Sequence, residues 1–304
     1  MRNKVNEVRE VEEAKEKNGD VAAFFDLDGT LVPLPSMEKR FFAMLRYRRL
    51  IGIGRYCSWL RESLRLVPRG INQILHANKM YLRGVRVDVE GRGTDIPISL
   101  HVENEGEGKG RGSSEKKGER RRQARMPVPL YPDAVEQVAW HVERGHLIVI
   151  VSGTLEMLAA QAALELEAEL SARGLACRLR VCATRLEQKD ERWTGRIVGE
   201  AMFGEAKARA IRRVAAEQDL DLRRCFAYGD SSSDRWMLEV VGKPAAVNPS
   251  NDLARVARRN AWAVLHWGER KNFTQSARRA QRSQWVAETD ERLAARHAKS
   301  GYRT

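Results

Sequence analysis

A continuous apolar run, Val21-Ala22-Ala23-Phe24-Phe25, stops abruptly at Asp26-Leu27-Asp28-Gly29-Thr30. A run without polar alternation predicts a strand buried on both faces, as in a parallel sheet. The same transition recurs where residues 147–151 run into Ser152-Gly153-Thr154, and where residues 225–228 run into Gly229-Asp230-Ser231-Ser232-Ser233-Asp234. Shorter apolar runs follow at 244–247 and 261–265. The segments 133–144, 155–173, 205–218 and 251–260 separate these runs and are rich in Ala, Leu, Arg and Glu, which predicts helices. Alternating strands and helices imply an α/β fold, a Rossmann-like open parallel sheet with helices on both faces. Residues 184–199 predict a hairpin turning at Lys189-Asp190-Glu191.

Between the first two strands lie roughly a hundred residues, where a crossover normally needs about a dozen. The first part of this insertion places Phe41, Phe42, Leu45, Trp59, Leu60, Leu64, Ile71, Ile74 and Leu75 at helical spacing, interrupted at Pro68-Arg69-Gly70. It predicts a helical cap over 36–89. Its second part, 90–127, is dominated by Gly, Ser, Glu, Lys and Arg, with glycine at 106, 108, 110 and 112. Too few apolar anchors remain there to offset chain entropy, which predicts a disordered or mobile loop. The expected organisation is therefore a charged leader (1–20), an α/β core (21–35 and 128–268), the inserted cap and loop, and a basic tail (269–304). Hinges are expected near residues 33–36 and 127–132.

Charge adds a preference for anionic partners: 54 Lys+Arg oppose 41 Asp+Glu, a net charge of +13. Much of the excess lies at 109–125 and in the tail, at Arg278, Arg279, Arg282, Arg292 and Arg296. These stretches read more readily as solvated surface than as a nucleic-acid or acidic-membrane footprint. Cys57, Cys177, Cys182 and Cys225 are scattered without metal-site spacing and imply reduced thiols. The charged N-terminus and the lack of a long apolar stretch predict a cytoplasmic protein.

Three strand ends carry, in order, two carboxylates, a hydroxyl beside a glycine, and two more carboxylates. Ligands of open α/β sheets bind at such ends. Paired carboxylates there suit a hard cation such as Mg²⁺, which favours oxygen ligands and can neutralise a phosphoryl group. Of Asp26 and Asp28, one is placed to attack phosphorus and the other to move protons. An EF-hand would need Gly and Glu where Leu31 and Met37 stand, so that reading fails. Gly52-Ile53-Gly54 lacks the third glycine and preceding strand of a dinucleotide site, and the six histidines show no metal spacing. The basic, aromatic stretch from Phe41 to Trp59 reads as a helix with one packed and one solvated face rather than as a lipid contact.

The pattern DxDGT (Asp26 to Thr30), Ser152, Lys207 and GDxxxD (Gly229 to Asp234) resembles the haloacid dehalogenase superfamily of phosphatases, in its phosphoserine phosphatase-like branch with a helical cap. The resemblance covers residues 21–267. It implies a Mg²⁺-dependent phosphoric monoester hydrolase working through an aspartyl-phosphate. Asp26 would be the nucleophile and Asp28 the general acid and base. Ser152, Gly153 and Lys207 would hold the phosphoryl group, and Asp26, Asp28, Asp230 and Asp234 would form the metal site. The implied substrate is a small phosphorylated metabolite. Where related enzymes carry a glutamate for a substrate ammonium, this chain has Pro33-Leu34-Pro35-Ser36, and Glu38 follows. Two other readings stay open: a phosphotransferase using the same aspartyl-phosphate, and a nucleic-acid- or membrane-binding protein on this scaffold.

Overall fold

The computed structural model of the chain describes residues 20–47, 51–69, 78–85, 126–190 and 192–268. The expected leader up to residue 19, the low-complexity stretch up to residue 125, Ile71, Ile74, Leu75 and the basic tail lie outside the described residues.

Six parallel strands form one sheet in the order β3-β2-β1-β6-β7-β8. They are β1 (Ala22–Phe25), β2 (Leu147–Leu155), β3 (Arg180–Thr184), β6 (Phe226–Gly229), β7 (Lys243–Val247) and β8 (Ala263–Leu265). A second sheet is the antiparallel hairpin of β4 (Leu186–Lys189) and β5 (Arg192–Ile197). The helices are α1 (Met37–Tyr47), α2 (Ile53–Leu66), α3 (Pro132–Val142), α4 (Glu156–Ala172), α5 (Glu205–Glu217), α6 (Arg235–Glu239) and α7 (Asn251–Asn260).

Strand β3 was not anticipated as a strand of its own. Its composition, Arg-Val-Cys-Ala-Thr, mixes a charge with small residues because it pairs only with β2 at the sheet edge. The central strands need continuous apolar sequence and show it.

Period-two alternation along β1 divides the core. Ala23 and Phe25 point into a cluster with Ala134 and Val138 of α3 and Leu158, Ala162 and Leu166 of α4. Ala22 and Phe24 point into a second cluster with Ile211 and Val214 of α5, Leu238 of α6 and Leu253 of α7. The sheet is thus covered on both faces, as its uninterrupted apolar strands require. Under β1 and β6, Phe25 stacks on Tyr228 with ring centroids 4.5 Å apart. The Tyr228 hydroxyl lies 2.9 Å from both Gln137 Nε2 and His141 Nε2, and His141 Nδ1 lies 2.8 Å from His146 Nδ1. Buried His141 and half-buried His146, given no role from sequence, thus satisfy polar groups below the sheet centre.

The inserted helices join the first cluster through Met37, Phe41 and Leu45 of α1, with Tyr81, Leu82 and Val85. The hairpin holds this insert: Gly84 N donates to Trp193 O (2.7 Å), Trp193 N donates to Val85 O (3.0 Å), and Phe41 meets the Trp193 ring edge-on. Helix α2 departs from the expected packing. Trp59 packs against the cluster, but Leu60 and Leu64, which share the apolar helical spacing, are 55% and 66% exposed.

Chain order places the reversal of sheet direction between β1 and β6, the position where open α/β sheets open a ligand crevice. Leu166→Ala, which empties a fully buried position in α4 far from that crevice, is expected to lower stability by about 2–5 kcal/mol. An equilibrium urea titration checks it: the midpoint should fall with an unchanged slope.

Candidate functional site

The parallel register decides what meets at the crevice. Phe25 is level with Ile150 on one side and with Tyr228 on the other. Asp26 therefore emerges beside Val151 and Gly229, immediately before Ser152 and Asp230. Asp26 N donates to Tyr228 O at 2.9 Å, so the first residue past β1 is still tied to the sheet.

The loop after β1 turns tightly, with Gly29 N donating to Val32 O (2.7 Å) and Val32 N to Leu27 O (2.8 Å). Gly29 has φ +88°, and a Cβ there would stand 2.2 Å from Asp230 Oδ2. Only glycine fits both demands. Its absent side chain is the space in which the Asp230 carboxyl lies.

After β6 the chain folds back on Asp234. Its Oδ2 accepts from Ser231 N (2.9 Å), Ser231 Oγ (2.8 Å) and Asp230 N (3.2 Å). Its Oδ1 accepts from Lys207 Nζ at 2.5 Å, and Asp26 Oδ1 accepts from the same ammonium at 2.5 Å. Lys207 reaches inward from the first turn of α5 after Gly204, whose φ is +56°. Lys207, Asp26 and Asp234 are all buried.

Three residues before the end of β2, Ser152 is buried and its Oγ accepts from Thr154 N at 3.2 Å. Thr184 Oγ1 donates to Gly153 O (2.8 Å) and accepts from Met202 N (3.1 Å), which fixes the turn against the approach to α5. Neither Thr184 nor Ser231 was singled out from sequence. Ser231, inside GDxxxD and three residues before Asp234, carried a capping signal that would have found it.

Asp26, Asp230 and Asp234 offer oxygens that all lie within 4.8 Å of one another. The Asp28 carboxyl, expected in the same set, is not part of that group. Its Oδ1 accepts from Met37 N at 2.6 Å, because the first turn of α1 presents an unpaired amide to it. Glu38, next along α1, accepts from Lys79 Nζ and Tyr81 Oη at 2.5 Å each through Oε1.

Two buried carboxylates, Asp26 and Asp234, share one ammonium with the half-buried Asp230 carboxyl alongside, and the electrostatics record the imbalance. Burial pushes Asp26 up to about 7, against the pull of Lys207. Burial, with Asp26 and Asp234 alongside, pushes Asp230 up to about 9. Burial also acts against ionised Asp234, but Lys207 and the Ser231 donors hold it below the ordinary carboxylate range. Lys207 stays above the usual lysine range despite burial, through Asp234 and Asp26. Burial raises Asp28, partly offset by the Met37 amide. Anionic charge in excess of Lys207, presented by clustered carboxylate oxygens, suits a hard divalent cation. Among the described residues the buried Thr30 hydroxyl has no hydrogen-bond partner.

Residues 23–239 match the profile of haloacid dehalogenase-like hydrolases. Phosphoserine phosphatase SerB1 of Mycobacterium tuberculosis is 36% identical over 129 residues, 42% of this chain and 39% of that protein. An inhibition of morphological differentiation protein from Streptomyces azureus is 47% identical over 87 residues, 28% of this chain and 31% of that protein. The chain therefore spans well under two thirds of the length of these relatives. A crystal structure of a protein of unknown function from Bordetella pertussis Tohama I covers 80% of this chain and 97% of its own, at 25% identity and a TM-score of 0.52.

Lys207→Met removes the cation between two buried carboxylates and is expected to cost about 3–5 kcal/mol at neutral pH. The deficit should shrink on mild acidification, as the stranded carboxylates protonate. Paired melting curves of both proteins across that pH range test this; a pH-independent deficit would show that Lys207 acts by packing alone.

Proposed function

The chain belongs to the haloacid dehalogenase-like hydrolases, and from that premise we propose that it is a Mg²⁺-dependent phosphatase transferring a phosphoryl group through Asp26 to water. The observation that carries this reading is the buried Asp26 carboxylate, bonded through one oxygen to Lys207 and set beside Asp230 and Asp234.

In this reading the Asp26 oxygen not bonded to Lys207 attacks phosphorus, and the bond from phosphorus to the ester oxygen breaks. Asp28 gives its proton to the departing alkoxide. Its burial-raised pKa favours the protonated form that this step needs. Asp28 then takes a proton from water as that water attacks phosphorus. The phosphorus bond to Asp26 breaks and inorganic phosphate leaves. Ser152, the backbone at Gly153 and the Lys207 ammonium would hold the phosphoryl oxygens, where preorganised donors are worth most.

Asp26, Asp230 and Asp234 would hold Mg²⁺, with Asp234 acting through its ordered loop. Bound there, Mg²⁺ supplies charge neutralisation for the phosphoryl oxygens. The Asp28 carboxyl, turned to the Met37 amide, is left to proton transfer. The inserted segment 36–89 would serve as a cap that excludes water, tethered to the site through Met37.

The substrate would be a small phosphomonoester. The Glu38 carboxylate already accepts from Lys79 and Tyr81, so a substrate ammonium would have to displace an internal cation. This disfavours phosphoserine against amine-free phosphomonoesters.

Purified protein should hydrolyse an aryl phosphate only with Mg²⁺, and Asp26→Asn should reduce turnover by about a thousandfold or more. Turnover that survives Asp26→Asn or needs no metal would end this reading. Linkage supplies a second check. Asp26 and Asp230 are raised in the folded state, to about 7 and about 9. The stability they lend the metal-free protein is present below the ordinary carboxylate range and is lost as pH rises through those values. Mg²⁺ should therefore raise the melting temperature more at alkaline than at acidic pH; a constant shift would argue against binding at these carboxylates.

A further inference from the structure

Most of the large apolar side chains exposed on the described surface lie in the inserted segment: Tyr47, Ile53, Tyr56, Leu60, Leu64 and Val67. Five of these follow one another along α2 and its C-terminal turn. At about 100° per residue, positions 53, 56, 60, 64 and 67 fall within an arc of about 80°, forming one stripe about 21 Å long. The inner side carries the contacts to the protein: Ser63 and Leu66 are buried and Trp59 packs against the core, about 20–80° beyond the Tyr56 edge of the stripe. Helix α2 thus turns a mixed face inward and leaves an apolar stripe on the side it presents outward. On the exposed side beyond Leu64 the helix carries Arg61 and Arg65, about 80° and 120° from Ile53, while Arg55 and Glu62 are half-buried on the inner side.

We propose that α2 is a membrane-surface helix, its outward stripe lying in the headgroup region of an anionic lipid surface with Arg61 and Arg65 meeting lipid phosphates. The arrangement has the parts such a helix requires: an apolar face, an aromatic residue within it, and cationic side chains at its edge. It fits a second copy of the chain less well. A stripe of about 21 Å by 10 Å offers about 200 Å², against about 800 Å² per partner in a standard protein interface. Docking two copies there would also bring like charges together at Arg61 and Arg65 in a chain whose net charge is +13. A lipid surface has no area threshold and carries the complementary sign. Gly52 and Gly54, at the start of the helix, face open space, so neither would obstruct contact with a flat surface. Arg61 and Arg65 also line a cleft of about 1350 Å³ between α2 and the β4-β5 hairpin, so docking would set the mouth of that cleft at headgroup depth.

Flotation of the full chain with vesicles tests the proposal. Wild type should float with equimolar phosphatidylcholine and phosphatidylserine, and far less with phosphatidylcholine alone. Leu60→Ser with Leu64→Ser leaves the charge unchanged and should reduce binding to the mixed vesicles by about tenfold or more. Arg61→Gln with Arg65→Gln should weaken binding to anionic vesicles and lessen its salt sensitivity. Turnover of a soluble aryl phosphate and the melting temperature of each variant, measured in parallel, show whether the fold and the reaction are intact. Three results would overturn the proposal: wild type that does not float, Leu60→Ser/Leu64→Ser protein that floats as well as wild type, or a wild-type oligomer that these substitutions disperse.

Discussion

Lys207 is the charge on which the site depends. Its ammonium bridges Asp26 and Asp234 at 2.5 Å each, in a place where no one of the three would remain charged by itself. The three residues come from the ends of two strands and the start of a helix, and a bond between full charges in a buried site tolerates little displacement. The sheet register, the Gly204 turn that starts α5 and the Ser231 bonds to Asp234 all bring these groups to one point. Lys207 compensates only part of the negative charge, however, and the remainder appears as the raised affinity of Asp26 and Asp230 for protons. A site left anionic in this way is prepared for a cation and for a phosphoryl group together.

The sheet makes such convergence inexpensive in conformational terms. The strand order runs outward in opposite directions from β1 and β6, which opens a crevice between their carboxyl ends. Gly29 then admits the Asp230 carboxyl where any other residue would collide with it. Among the described residues the insertion reaches the site through Met37 N, which donates to Asp28 on the side away from the other carboxylates. One DxD pair is thereby separated into a residue tied to the sheet floor and a residue tied to the insert.

Much of this was legible in the sequence because it rests on local pattern. Continuous apolar runs marked the central strands, and their abrupt polar ends marked Asp26, Ser152 and Asp230. What escaped is what only tertiary structure decides. Strand β3 lies at the sheet edge, where a charged residue such as Arg180 is tolerated, so its composition gave no strong signal. The Asp28 carboxyl was grouped with its neighbours because nothing in the motif announces an amide donor on α1. The Glu38 contacts to Lys79 and Tyr81 join residues 41 and 43 positions apart. Periodicity showed that α2 has apolar positions, but not that Leu60 and Leu64 lie on the face turned away from the core.

The central claim is that Asp26 carries the phosphoryl group between substrate and water. Rapid acid quench of the protein during turnover of a phosphomonoester with Mg²⁺, followed by peptide mass analysis, tests it most directly. The account predicts the mass of one added phosphoryl group on the peptide containing Asp26, and its absence in Asp26→Asn protein. Sustained turnover with no covalent adduct, or an adduct on another residue, would contradict it.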